Sequence, residues 1–261
     1  MYHRIVSNKA YSDTNWTCVQ AGTFRRQMEL VERLGFTPIT LFDYLCYLDG
    51  AFRLPRKPIV ITFDDGYQDT YENAFPILDE LGMKAVVFVL GNRDIKTNRW
   101  DHEEGYSAAP LMTDEQVIEM SQAGYEIGAH SLTHPRLTLI DKRDAWEEIA
   151  RSRMSLEIIL NSPVSSFSYP YGALTTEIKN MVTEAGYKLA CGVFSGPARF
   201  GEDLFEIRRL AIPGTLSLVG FASRLLLPHQ RMEWIRWKIK TGLQSVRKYR
   251  EGRSQVHAET P

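Results

Sequence analysis

Four residues hold most of the chemical potential of this sequence: two adjacent carboxylates, Asp64 and Asp65, and two histidines four positions apart, His130 and His134. Neighbouring carboxylates repel, and burying either one unpaired costs several kcal/mol or forces it neutral. The pair ends an apolar, β-branched run, Ile59-Val-Ile-Thr-Phe-Asp-Asp-Gly66, which reads as a buried strand bounded by Pro58 and Gly66. Something positive is expected at that strand end, and a metal ion is the simplest candidate. The competing reading makes both acids caps of a helix starting at Tyr67. Two histidines and one carboxylate form a common catalytic zinc set that leaves a position for water. The same set serves non-haem iron, so ligand type does not fix the metal. The second aspartate is then free to act as a general base beside a metal-bound water.

The elements that must position these residues follow a rhythm of helix, glycine, strand and polar motif. Apolar spacing predicts helices over 24–34, 41–48, 70–81, 144–160 and 176–185, and Thr113-Asp-Glu-Gln opens another that runs to about Ala123 as a capping box. Strands are expected over 1–6, 37–40, 59–66, 84–90, 125–129, 165–169, 187–193 and 205–212, with 7–22 a loop. This is a parallel α/β pattern, a barrel or a doubly wound sheet. In both, ligands collect at the carboxyl ends of strands. Asp64-Asp65, His130/His134 and Pro170-Tyr171-Gly172 each follow a predicted strand directly, so three strands deliver polar groups to one rim. The polar stretch 91–110, with Trp100, His102 and Tyr106, is long enough to suggest a functional loop.

The 261 residues are 44% hydrophobic and 24% charged, ordinary for a globular chain. The net charge of -1 argues against a nucleic-acid partner. It hides an asymmetry, because from Ala222 onward nine Lys and Arg face three Glu. Cys18, Cys46 and Cys191 have no spacing pattern, so buried thiols are expected rather than a disulfide framework. The opening Met-Tyr-His-Arg-Ile lacks the apolar core of a signal peptide, and no apolar run approaches a membrane span, so a cytoplasmic protein is expected. Residues 217–249 interleave Leu225, Leu226, Trp234, Ile235, Trp237 and Ile239 with Arg and Lys. That pattern suits either a peripheral amphipathic helix on an anionic membrane or a terminal helix with a solvated basic face.

Thr62-Phe-Asp-Asp-Gly66, His130-Ser-Leu-Thr-His134 and Tyr169-Pro-Tyr-Gly172 together resemble the first three motifs of the polysaccharide deacetylases, carbohydrate esterase family 4 or the NodB-homology family, over roughly residues 1–213. The resemblance implies an α/β fold, a distorted, incomplete (β/α) barrel over 1–215; the residue pattern beyond it is expected to give a basic helical tail over 216–249 and disorder over 250–261. It implies metal-dependent hydrolysis of N-acetyl groups from an amino-sugar glycan, with acetate released. Asp64 becomes the general base, and Asp65, His130 and His134 become ligands of one divalent metal, zinc first, with cobalt or another transition metal possible. The backbone N–H of Tyr171 becomes an oxyanion donor. Most of the family has Arg before the Pro of the third motif, where this chain has Tyr169. Arg209, or failing it Arg208, is therefore expected to supply that charge to Asp64. The family's C-terminal Leu-x-His is not in place. Met1-Tyr-His-Arg-Ile instead resembles the circularly permuted branch, which includes poly-N-acetylglucosamine deacetylases, and makes His3 the general acid. Tyr67, Trp100, Tyr106 and Tyr171 would either stack on sugar rings or pack internally. The rival readings are a catalytically inactive carbohydrate-binding relic of the family and a metal-dependent phosphoesterase. The second predicts a glycine-rich phosphate loop or more acids at strand ends, and the sequence has neither.

Overall fold

A computed structural model of the chain describes residues 1–7, 16–104, 107–197 and 199–226. The chain divides into a compact unit, Met1–Phe221, and a second unit, Ala222–Pro261. The first strand, β1 (Arg4–Val6), pairs in parallel with β2 (Cys18–Gln20). Helix α1 (Ala21–Arg33) follows β2 directly and buries Phe24, Gln27, Met28 and Val31 on one face. The stretch expected as a loop over 7–22 thus holds a strand and the first residues of a helix. Next come β3 (Thr37–Pro38), α2 (Leu41–Leu48) and β4 (Pro58–Ile59), with β3 and β4 paired in parallel.

The run 59–66 is not one strand. Ile59 ends β4, and Thr62–Phe63 forms β5, which belongs to a different sheet. The apolar residues run on without a break, but the chain changes pairing partners at Val60 and Ile61: Ile59 is half-buried, whereas Thr62 and Phe63 are buried. After β5 the chain turns into a single π-helical stretch, Thr70–Ala74, that runs on into α3 (Phe75–Glu80).

A repeat of strand and helix then builds the core: β6 (Val86–Val89), α4 (Asp114–Gln122), β7 (Glu126–Ala129), α5 (Lys142–Leu160), β8 (Ser166–Ser168), α6 (Thr176–Glu184) and β9 (Leu189–Cys191). Strands β5 to β9 form one parallel sheet in chain order. All four β6 side chains are fully buried, as expected of a parallel strand covered on both faces. Thr113 and Gln116 close the expected capping box at the start of α4.

The sheet curls, and its two edges are joined by irregular chain. On the β5 edge, Tyr2 bridges Phe63: Tyr2 N–H donates to Thr62 C=O at 2.8 Å, and Asp64 N–H to Tyr2 C=O at 3.0 Å. On the β9 edge, Ile207 bridges Cys191. The segment 207–212 makes no regular strand, contrary to expectation. It instead crosses from β9 to the N-terminal strand, with Arg209 N–H on Val193 C=O at 3.2 Å and Ile212 N–H on Met1 C=O at 3.0 Å. The result is a distorted, incomplete (β/α) barrel, closed by isolated bridges where a regular barrel has strands. Helix α7 (Leu218–Leu226) is the last described element. The rest of the basic tail lies outside the described residues, as do Tyr106 and the side chain of His102. No helix among the described residues is long and apolar enough to cross a membrane. All three cysteines are free thiols.

Candidate active site

Asp64 and Asp65 leave the carboxyl end of β5 and are both buried. Asp65 adopts the left-handed conformation (φ 73°), followed by Gly66 at φ 70°. A Cβ on Gly66 would come within 2.9 Å of Val89 Cγ1, so only glycine lets β5 turn this close to β6. The turn sends the two carboxylates to different partners.

Asp65 Oδ1 lies 3.2 Å from His130 Nε2 and 3.3 Å from His134 Nε2. The donor atoms of these three buried side chains all fall within 4.8 Å of one another. His130 follows β7, and its Nδ1 contacts the Ser168 carbonyl at 2.7 Å. That carbonyl can only accept, so Nδ1 carries a proton, and Nε2, the nitrogen turned toward Asp65, is the one that could ligate a metal. Ser131 (φ 59°) and His134 (φ 68°) are left-handed, so the four-residue spacing is a loop and not a helical turn. Such conformations cost about 1–3 kcal/mol each and persist only when surrounding contacts enforce them. Glu148 of α5 supplies that enforcement. Its carboxylate accepts the N–H groups of Leu132 at 2.9 Å and Thr133 at 2.8 Å, and the Thr133 hydroxyl at 2.6 Å. His134 Nδ1 is buried without a hydrogen-bond partner among the described residues. The His134 ring stacks on Trp100 (centroids 4.4 Å apart, 27° between planes) and lies 4.7 Å from the Tyr171 ring.

Asp64 turns to Arg209, which is 7% exposed. Arg209 Nη1 donates to Asp64 Oδ1 at 2.6 Å and Nη2 to Oδ2 at 2.7 Å, a bidentate pair. The other three guanidinium donors reach Thr62 Oγ1 at 3.2 Å, Ser168 Oγ at 2.9 Å and Gly192 C=O at 2.9 Å. All five donors are therefore used. Burial pushes the Asp64 pKa upward, but the Arg209 charge, with His130 and the Arg209 hydrogen bonds, outweighs it and holds the carboxyl at about 2. For Asp65 burial acts the same way, and its bonds to His130 and His134 hold it well below the usual range. Arg208 points elsewhere, to Gly196 C=O at 3.0 Å. Tyr169, at the position where the family motif has Arg, donates its hydroxyl to Phe205 C=O at 2.8 Å. It thereby tethers the segment that brings Arg209 in from another part of the chain.

Two buried carboxylates with a single guanidinium leave one negative charge uncompensated. An O,N,N donor set, one imidazole with its tautomer fixed and a residual negative charge suit a divalent transition-metal ion.

His3 lines the same cavity of about 300 Å³, together with Asp64, Asp65, Trp100 and Tyr171. Its strand is pinned on several sides: Met1 nitrogen donates to Leu210 C=O at 2.8 Å, Thr70 Oγ1 to His3 C=O at 3.2 Å, and Arg4 pairs with Asp69 at 2.8 Å. Tyr171 sits in a left-handed turn (φ 60°) before Gly172 and is 37% exposed. The Arg136 guanidinium lies 3.9 Å from that ring's centroid. Tyr67 is 1% exposed and donates its hydroxyl to Asp101 at 2.8 Å, so it packs and offers no open ring face. Sequence reasoning missed Ser168, Thr62 and Glu148. Ser166 and Ser168 alternate with Phe167 in a fully buried strand, a legible sign of a polar interior contact. Glu148 stands in a charge-rich helix with no such sign.

The family model described as polysaccharide deacetylase matches residues 53–190. The chain is 26% identical over 223 residues to YxkH of Bacillus subtilis (strain 168), whose name places it among the polysaccharide deacetylases, covering 85% of this chain and 74% of that one. It is 22% identical over 179 residues to the poly-beta-1,6-N-acetyl-D-glucosamine N-deacetylase of Staphylococcus aureus (strain N315), covering 65% of this chain and 59% of that one. Its fold is similar to that of the Streptococcus pyogenes deacetylase PplD solved in complex with acetate. There the TM-score is 0.72 at 24% identity, covering 86% of this chain and 95% of that one. With the family model spanning more than half of the sequence, the chain belongs to the polysaccharide deacetylase family of carbohydrate esterases.

Proposed function

We propose that this protein is a metal-dependent hydrolase that removes N-acetyl groups from an amino-sugar polymer or glycan precursor and releases acetate. The observation that carries this reading is the division of labour between neighbours: Asp65 Oδ1 faces both histidine Nε2 atoms, while Asp64 is held by Arg209. Asp65, His130 and His134 would hold one divalent ion, with zinc matching the donor set. When bound, such an ion supplies Lewis-acid polarisation of an acyl oxygen and a water acidic enough to react near neutral pH.

The chain's own groups do the rest. Asp64 is ionised throughout the neutral range, and its Oδ1 accepts one hydrogen bond, from Arg209. A second lone pair on Oδ1 is left to take a proton from the attacking water. Arg209 fixes the direction of that lone pair. The Tyr171 N–H, presented by its left-handed turn at the cavity wall, would donate to the oxyanion that develops on the acyl carbon; comparable donors are worth about 10²–10³ in kcat. His3, which lines the same cavity on its docked segment, would protonate the leaving nitrogen.

Acetate release from β-1,6-linked and β-1,4-linked N-acetylglucosamine oligomers tests the reading, measured after chelation and after return of zinc or cobalt. Release is expected only with metal and is expected to be lost in Asp64→Asn and strongly reduced in His3→Ala. No release from the wild type on either oligomer, or undiminished release by Asp64→Asn, would overturn it.

A further inference from the structure

The two histidines of the centre are held by different physics. His130 is oriented by a hydrogen bond from Nδ1 to the Ser168 carbonyl at 2.7 Å. This is the usual arrangement, in which the non-ligating nitrogen fixes tautomer and ring direction. His134 has no equivalent, because its Nδ1 is buried without a hydrogen-bond partner among the described residues. Yet its ring is not loose. Trp100 lies nearly parallel to it at 4.4 Å, and Tyr171 lies 4.7 Å away with 59° between planes. Arg136 in turn approaches the Tyr171 ring to 3.9 Å. The four side chains form a column of Trp100, His134, Tyr171 and Arg136, drawn from the loop after β6, the loop after β7 and the turn after β8. Trp100 is itself braced from behind by the buried cluster of Tyr67, Leu90, Ile95 and Leu111.

We propose that Trp100 is the positioning residue for His134, replacing the missing hydrogen bond with a π-stack. The inference rests on the metal-centre reading above. Two effects make the stack suitable for this role. A flat contact restricts rotation of the imidazole about its last side-chain bond, as a directed hydrogen bond would. An indole face also favours a ring that carries positive charge, and an imidazole that donates its lone pair to a cation becomes more positive. The ring face used in this way is not available to a sugar, so Trp100 serves the centre before it serves the substrate.

The test compares Trp100→Phe with Trp100→Met, two side chains of similar size of which only the first keeps a ring face. The readouts are Co²⁺ affinity by calorimetry, the visible absorption of the Co²⁺ protein, and thermal stability without metal. The Phe variant is expected to bind Co²⁺ within about three-fold of wild type. The Met variant is expected to bind roughly ten-fold more weakly, with an altered absorption envelope, at equal metal-free stability. Equal Co²⁺ affinity and equal spectra for the two variants would overturn the assignment, as would a Met variant indistinguishable from wild type. If the wild type itself bound no Co²⁺, the metal-centre reading would fall and this inference with it. That outcome is distinguishable because it appears before any variant is made.

Discussion

Removing the guanidinium from Arg209 should convert a buried ion pair into a buried lone charge. Arg209 and Asp64 are 7% and 2% exposed and share a bidentate contact. Arg209→Met keeps the volume and removes the charge. Breaking one side of a buried pair costs about 3–5 kcal/mol, and a chain of this size loses about 2–4 °C per kcal/mol, so Tm should fall by roughly 10 °C. The second variant is the stronger test. In Arg209→Met/Asp64→Leu no charge is stranded, and more than half of the lost stability should return, because an apolar pair can replace an ionic one at little net cost. The pH dependence has a definite sign. In wild type, the Asp64 carboxyl is depressed from 3.8 to about 2. Its contribution is present above pH 3.8 and is lost as pH falls through about 2, a loss of about 2 kcal/mol. In Arg209→Met only burial and weaker charges remain, the pKa rises, and protonation then stabilises the fold. The stability gap between wild type and variant should therefore begin to narrow as pH falls through the variant's raised pKa, above 3.8, and go on narrowing down to about 2. Denaturant titrations on metal-free protein at several pH values measure all of this. A single variant as stable as wild type, a double variant no better than the single, or a gap that widens on acidification would refute the reasoning.

Three further outcomes follow from the same geometry. Glu148→Ala removes the acceptor for two loop N–H groups and a hydroxyl, and should weaken metal binding by about 10- to 100-fold while leaving Asp64 and Arg209 in place; calorimetry with Zn²⁺ checks it, and unchanged affinity would mean that the loop holds itself. Gly66→Ala forces a Cβ to 2.9 Å from Val89 Cγ1 at φ 70°, so a loss of about 2 kcal/mol or more is expected in chemical denaturation. Chelation should lower Tm measurably, because a ligand that binds only the folded state stabilises it by mass action; re-addition of one equivalent of Zn²⁺ should restore it, and no shift in either direction would count against Asp65, His130 and His134 as a ligand set.

Much of this candidate site was legible in the sequence because the polar groups that gather in it sit directly after strands, and in a parallel α/β fold those positions converge. Asp64-Asp65, His130 and Pro170-Tyr171 all lie at such ends. Arg209 was reachable because a missing arginine in the third motif called for a cation elsewhere, although the extended stretch that carries it is not the strand its apolar pattern suggested. The run 59–66 misled for a physical reason: its apolar residues are consecutive, and that signature is the same whether the chain keeps one pairing partner or exchanges it. The stacking of Trp100 on His134 and the grip of Glu148 on residues 132 and 133 had no signature at all. They depend on which loops meet across the barrel mouth, and local periodicity does not encode that.

The closure of the barrel also sets an order of events during synthesis. Met1 bonds to Leu210 across a separation of 209 positions, and Ile212 bonds back to Met1. Strands β5 to β9 need only their sequence neighbours to pair, so they can form while the chain is still emerging from the ribosome. The N-terminal segment can dock early, through Tyr2 on β5 and through Arg4 and Ile5 on Asp69, whereas Arg209 and the bond from Met1 to Leu210 must wait for the segment through residue 212. Until then the outer edge of β9 stands open, the kind of unpaired edge that recruits other chains. Pulse-labelled hydrogen exchange during refolding should show amide protection at Gly192, Arg209 and Ile212 arriving after that of Tyr2, Asp64 and the amides of β6 to β8. Equal timing for all of them would show that the cleft closes in the same step as the sheet.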